Sequence, residues 1–155
     1  MMKSSANGPY YKLLTMAIVS FAMMYLLMYS MVNTVDNIFP NVNQLYMSGL
    51  MTAVMLLIEL LSMNEMYQHK KLNGSIWVGC SILALLCFLF IRQQRAVSDV
   101  QFLKSMIPHH ASAILMSQHA SIQDAEIKDL SKKIIASQSQ EIEQMKIKLH
   151  QLEEK

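Results

Sequence analysis

Soft metal-binding side chains recur at helical spacing in the C-terminal part of the chain. Met106, His109 and His110 lie within one turn of each other on a predicted helix. Met116 and His119, three residues apart, follow nearer the end of that helix. Thioether and imidazole groups together suit Cu(I) or Ag(I), although another transition metal is possible. The spacing therefore indicates a soft-metal site, and the alternative is a helix that carries Met and His by chance.

A second predicted helix offers polar partners for this cluster. Gln138 and Glu141 interrupt its apolar stripe, and a polar group that faces a core needs a partner. If the chain reverses near residue 123, antiparallel pairing places His109 opposite residue 137, next to Gln138, and Met106 opposite residue 140, next to Glu141, with Met145 close by. Glu141 is then either a ligand or the group that orients a histidine ring.

Capping signals delimit the two helices that would hold the site. Ser98 and Gln101 form a capping-box pattern at the start of the first helix. Pro108 removes a backbone donor and predicts a kink there. Asp124 is the expected N-cap of the second helix. The segment 97–155 is therefore predicted to be a polar helical hairpin and the candidate metal-binding domain.

The preceding segment, 1–96, has the composition of a membrane domain. Of the 24 charged residues (13 basic and 11 acidic), only nine lie in it. Three apolar runs, about 13–32, 45–63 and 75–91, approach the roughly 20 residues that a helix needs to cross hydrocarbon. The predicted fold class is thus an all-α membrane protein with three transmembrane helices followed by an extramembrane hairpin.

The distribution of basic residues predicts how the spans are oriented. Lys3, Lys12, Lys70 and Lys71 flank the spans on one side, whereas the connection 33–44 has no Lys or Arg. Cytoplasmic loops carry the excess of positive charge. The N-terminus is therefore expected in the cytoplasm and the hairpin on the extracytoplasmic side of a multi-pass inner membrane protein. Three basic residues after the third span oppose this assignment.

Methionines also recur every four residues inside the spans. Met24 and Met28 share one helical face, as do Met47, Met51 and Met55. Flexible Met side chains commonly fill gaps between helices, which is the simpler interpretation. The alternative is a thioether-lined conduit for Cu(I).

The motif Met-Ile-Pro-His-His at 106–110, followed by Gln-x-x-Glu-Ile-x-x-Met at 138–145, resembles the bacterial family catalogued as "domain of unknown function 305". This family includes CopM-like copper-binding proteins, and the resemblance implies an exported or membrane-attached helical protein that binds copper or silver. Two positions depart from the pattern: Ala111-Ser112 replaces a frequent Gln-Gly, and Lys148 replaces a common Trp. The positions that match are Met106, His109, His110, Met116, His119, Gln138, Glu141 and Met145.

These observations predict a membrane-anchored Cu(I)- or Ag(I)-binding protein that buffers the metal or chaperones it to and from a partner protein. A structural or protein-interaction module and a small Met-lined metal conduit are the alternatives. An enzyme is not expected because no nucleophile and base pair up in the sequence. A net charge of +2 does not favour nucleic-acid binding.

A two-helix hairpin of this length buries little apolar surface by itself. Two hairpins are therefore expected to associate as a dimeric, ferritin-like four-helix bundle at the surface of the lipid bilayer. The apolar stripe of the second helix would supply the contact. The residues expected at this seam are Leu130, Ile134, Leu149 and Leu152.

Overall fold

A computed structural model describes residues 8–154, and within this range every regular element is helical. The all-α class predicted from the sequence is thus confirmed. Two short 3-10 helices, Met28–Met31 and Val35–Asn37, lie between the first two α-helices. The α-helices are α1 (Gly8–Leu27), α2 (Val42–Ser62), α3 (Lys70–Gln93), α4 (Asp99–His119) and α5 (Ala125–Glu153).

Three helical segments are long and apolar enough to cross a membrane, as the sequence predicted. They are Gly8–Met31, Val42–Ser62 and Lys70–Gln93, with mean hydropathies of 1.8, 1.8 and 2.3. Each helix begins before the apolar run that revealed it, because backbone hydrogen bonding continues through the polar flanking residues. Lys3, one of the lysines from which the orientation of the spans was predicted, lies outside the described residues.

One compact unit comprises residues 8–27 and 45–95. Its buried centre includes Leu13, Leu60 and Tyr67, which come from α1, α2 and the loop before α3. Elsewhere α2 and α3 approach closely, since a Cβ atom at Gly49 would lie 3.2 Å from the Cys87 Sγ. A small residue at this position therefore permits the contact between the two helices.

The second compact unit comprises residues 96–154 together with residues 28–44. Its centre is the antiparallel pair α4 and α5, and Val32 and Phe39 from the segment between α1 and α2 pack against that centre. The Val42 backbone N–H donates to the Gln101 Oε1 at 3.0 Å. The sequence analysis assigned residues 33–44 to the membrane domain, but in the structure they belong to the same compact unit as the hairpin. The buried residues of the hairpin's core are Leu103, Ile107, Ala111, Ile114, Ile142 and Leu149.

Both predicted helix caps are present. The Gln101 backbone N–H donates to the Ser98 Oγ at 3.4 Å at the start of α4. The Asp124 carboxylate accepts from the first backbone N–H groups of α5 at 2.9 and 3.0 Å. These bonds satisfy donors that a helix N-terminus otherwise leaves open. Helix α4 continues through Pro108.

The register between α4 and α5 differs from the expected one. The assumed turn places Ser117 opposite residue 129 and His110 opposite residue 136. Instead the Ser131 Oγ donates to the Ser117 carbonyl at 2.9 Å, and His110 lies beside Glu141. Ala120 and the N-cap of α5 have extended backbones, which advance about twice as far per residue as a helix. Counting residues symmetrically from the turn therefore misplaced the partners.

The apolar residues of α5 do not form the single stripe that the sequence suggested. Leu149 is only 3% exposed because the hairpin's own core covers it, so it is not available for a seam with a second hairpin. Ile127 and Leu130, in contrast, are 52% and 54% exposed. Of the four residues predicted at the seam, only Leu130 is therefore exposed.

Candidate metal centre

A cleft of about 300 Å³ lies between α4 and α5. Four of the residues singled out in the sequence line it, namely two methionines, one histidine and one glutamate. The full lining is Phe102, Leu103, Met106, His110, Glu141, Gln144, Met145 and Lys148.

Helical periodicity explains why these four residues meet. Met106 and His110 are four apart on α4, and Glu141 and Met145 are four apart on α5, so each pair shares one face of its helix. The buried Ile107 and Ile142 lie next to these faces and hold the two helices together. The cleft therefore combines two thioethers, one imidazole and one carboxylate, and we call Met106, His110, Glu141 and Met145 the cleft set.

The His110 ring is the most enclosed polar group of the cleft set. Its Nδ1 lies 3.0 Å from the Glu141 Oε2, and 13% of its side chain is exposed. The distance would suit an ion pair, but the angle does not suit a hydrogen bond, and Nδ1 is buried without a hydrogen-bond partner. A contact of this length contributes little as a hydrogen bond when it is misaligned, because hydrogen bonds weaken steeply with angle. A buried nitrogen of this kind has a lone pair or proton left unmatched.

The surroundings of His110 favour its neutral form. Burial lowers the pKa of His110 below the ordinary 6.5; the Glu141 carboxylate acts in the opposite direction, and the neighbouring His109 adds to the lowering. A neutral imidazole is the form that binds metals. The ring is therefore ready to donate a nitrogen lone pair at neutral pH.

Gln138 takes part in the site through Glu141. Its Nε2 donates to the Glu141 Oε2 at 3.5 Å, the long end of the range for such a bond. The same carboxylate oxygen lies beside His110. Gln138 and Glu141 thus form a short polar chain toward the histidine, as the sequence suggested, although the histidine is His110 and not His109.

Four sequence-predicted residues lie outside the cleft lining, namely Gln138 and three residues of α4. His109, Met116 and His119 are exposed, and Met116 is 53% exposed. Consecutive residues on a helix point about 100° apart, so His109 cannot share the orientation of His110. Their ring centroids are 6.1 Å apart. The structure therefore divides the predicted ligand set into a cleft group and an outer group.

Two polar residues of the cleft were not predicted from the sequence as part of the site. Gln144 and Lys148 line it on α5, three and seven residues after Glu141. This spacing identifies them once the correct face of α5 is known. Within residues 8–154 no three His, Cys, Asp or Glu side chains form a metal-holding group, so a site here would depend on the thioethers.

The methionines of the spans have a different environment. Met24, Met51 and Met55 line a groove of about 370 Å³ whose other walls are aliphatic. The Thr52 hydroxyl donates to the Met24 Sδ at 3.8 Å. No imidazole or carboxylate lines this groove, which fits the packing interpretation better than a metal track.

Together these features define a class of protein: an all-α chain with three helices able to cross a membrane and an antiparallel hairpin with a thioether-lined cleft. A family model described as "Domain of unknown function (DUF305)" matches residues 90–151. The C-terminal part of the chain therefore matches this family, as the sequence motif suggested.

The chain is also similar to "Uncharacterized protein L153" of Acanthamoeba polyphaga mimivirus. The two are 32% identical over 136 residues, which cover 86% of this chain and 88% of the viral protein. This similarity therefore extends well beyond the hairpin into the apolar helices. No solved structure matches the chain.

Proposed function

We propose that this protein is a membrane-anchored soft-metal-binding protein that holds Cu(I) or Ag(I) in the hairpin cleft and buffers the metal or passes it to a partner protein. The observation that carries the proposal is the shared lining of the cleft, where the His110 ring, with its Nδ1 3.0 Å from the Glu141 Oε2, lies beside the thioethers of Met106 and Met145. Such soft donors match a soft monovalent ion better than Mg²⁺ or Ca²⁺.

Each member of the cleft set has a distinct role in this proposal. Met106 and Met145 would hold the ion through neutral sulfur atoms, which bind without losing a proton. His110 would add a nitrogen lone pair. Glu141, held by Gln138, would orient the His110 ring rather than supply most of the binding. His109, Met116 and His119 lie outside the cleft lining and would not hold the ion.

Metal content tests this proposal. The purified protein, loaded with Cu(I) under anaerobic conditions and desalted, should retain about one copper per chain. Met106→Leu/Met145→Leu should lose most of it, because leucine keeps a similar volume but removes the sulfur. Met116→Leu is the matched control outside the cleft and should retain the metal. Equal retention by the double variant and the wild type would refute the cleft site.

The same measurement separates the main alternative, a protein-interaction module without metal. This alternative is supported by the exposed apolar side chains of Met116, Ile127 and Leu130. A homodimer through this surface would form the four-helix bundle that the sequence suggested, with Leu130 at the contact but without Leu149. An interaction module of this kind would hold no copper in either variant.

We further propose that the N-terminus is cytoplasmic and the hairpin extracytoplasmic, which in a bacterium means the periplasmic side of the inner membrane. The fold supports a three-span arrangement, because such an arrangement places residues 28–44 and the hairpin on one side, and these segments form one compact unit. Lys12, Lys70 and Lys71 would then lie on the cytoplasmic side.

Labelling of single cysteines tests this topology, in a background where Cys80 and Cys87 are replaced by alanine. A membrane-impermeant maleimide applied to intact cells should modify Val35→Cys and Gln151→Cys and leave Asn64→Cys unmodified. All three positions are exposed, so access is limited by the membrane alone. The reverse pattern would invert the orientation, and different labelling of the first two would contradict three spans.

Copper binding should also depend on pH. Protonation of His110 removes its lone pair, so affinity should fall as the pH drops through the pKa of that ring. Because burial lowers this pKa below 6.5, the midpoint should lie below that of free imidazole. Competition with a Cu(I) chelator from pH 7.5 to about 5 measures it. His110→Met should flatten the profile, and an unchanged profile in that variant would exclude His110 as the titrating group.

A further inference from the structure

An apolar groove of about 200 Å³ runs along the three spans at the end where α2 is followed by α3. All three membrane helices contribute to it. Its lining is Tyr10, Leu13, Leu14, Ala17, Leu56, Leu72 and Ile76. The residues of α1 that line it extend over seven positions, which is about 10 Å along a helix axis. The groove is thus elongated along the direction that lipid chains follow in a bilayer.

Hydrogen bonds connect the residues at the polar end of this groove. The Tyr10 hydroxyl donates to the Asn73 Oδ1 at 2.7 Å and accepts from the His69 backbone N–H at 3.1 Å. The Asn73 Nδ2 in turn donates to the Tyr67 carbonyl at 2.7 Å. These bonds tie the start of α1 to the start of α3. The hydrogen bonds therefore connect two of the three helices at the mouth of the groove.

Positive charge is concentrated at the same end. Lys12 directly precedes the lining residue Leu13, and Lys70 and Lys71 directly precede Leu72. All three lysines are exposed, and among residues 8–154 no carboxylate forms an ion pair with them. Of the two nearby acidic groups, Glu59 accepts a hydrogen bond from the Tyr67 hydroxyl and Glu65 lies in the exposed loop.

We propose that this groove binds one anionic phospholipid, with an acyl chain along the apolar wall and the phosphate among the three lysines. The groove supplies the apolar contact, and the unpaired ammonium groups complement a negative headgroup at the depth where headgroups lie. The positive-inside rule explains the lysines but does not explain the groove beside them. This proposal rests on the three membrane spans and is independent of copper binding.

Native mass spectrometry of the detergent-solubilised full chain tests the lipid site. The wild type, titrated with phosphatidylglycerol, should retain one lipid at least about tenfold more strongly than with phosphatidylcholine. Lys70→Gln/Lys71→Gln should reduce phosphatidylglycerol retention by about 25-fold, since a lysine near the membrane surface contributes about fivefold. Lys128→Gln/Lys132→Gln on α5 removes the same charge elsewhere and should leave retention unchanged.

Two further experiments distinguish binding of the lipid in the groove from nonspecific attraction to the lysine charges. Ala17→Phe fills the groove and should reduce retention of both lipids while the helical content stays constant. Soluble glycerol phosphate at matched concentration should not displace the lipid. Equal retention of both lipids by the wild type, an unaffected Ala17→Phe variant, or displacement by glycerol phosphate would each overturn the proposal. None of these outcomes bears on metal retention, which depends on the hairpin.

Discussion

Replacement of His110 by alanine is expected to lower Cu(I) affinity by about 100-fold or more, whereas the same change at His109 should cost less than about threefold. Even outer partners of metal ligands typically contribute 10–100-fold, so loss of a ligand should reach the upper end of that range. His110 lies in the cleft with its Nδ1 buried, and His109 is exposed on another face.

His109 and His110 are a well-matched pair for comparison. They have the same chemistry, lie on the same helix and differ by one position in sequence. A sequence motif alone treats both as ligands, but the helical rotation between them allows only one to face α5. Anaerobic competition against a Cu(I) chelator at pH 7.5 measures both affinities. If His109→Ala lost as much affinity as His110→Ala, the metal would bind outside the cleft.

Glu141→Gln should fall between these two variants. The amide keeps the size and one acceptor oxygen but removes the charge beside His110. A positioning role predicts a smaller loss than His110→Ala, whereas a direct ligand role predicts a comparable loss. The order of the three affinities therefore distinguishes the two roles that the sequence left open for Glu141.

The sequence predicted the features that depend on local chemistry. Apolar length identified three helices able to cross a membrane, and side-chain chemistry identified Ser98 and Asp124 as caps. Both signals act within a few residues of chain, so no knowledge of distant contacts is needed. The pairing of α4 with α5 was different, because it depends on the backbone path of the turn and not on residue count.

The contribution of residues 28–44 to the hairpin also had no sequence signal. Val32 ends the first apolar run and Phe39 follows Ile38 in a polar connection, and neither belongs to a periodic pattern that marks a helix face. Their packing partners lie more than 60 positions away in the sequence. The same limit explains why the cleft residues Gln144 and Lys148 were missed, since they become visible only once the facing side of α5 is known.

The second large effect is expected at Ile107, which is fully buried between α4 and α5. Ile107→Ala should destabilise the hairpin by about 2–5 kcal/mol, because it removes apolar contact and leaves a cavity. Ile147→Ala is the matched control: it is the same substitution on α5, at a position that is 53% exposed. It should change stability by less than about 0.5 kcal/mol.

Amide hydrogen exchange of the full chain in detergent measures this local stability without requiring the spans to unfold. Ile107→Ala should speed exchange in α4 and α5 while the protected amides of α1 to α3 remain unchanged, because the two compact units have separate cores. Copper affinity of Ile107→Ala should also fall. Met106 and His110 lie close to Ile107 on α4, and the contact of Ile107 with α5 holds them opposite Met145 and Glu141. Equal exchange in the two variants would mean that the hairpin is held by something other than this core.

Bound Cu(I) should slow exchange in both helices of the wild type, because a ligand that bridges α4 and α5 stabilises only the closed pair.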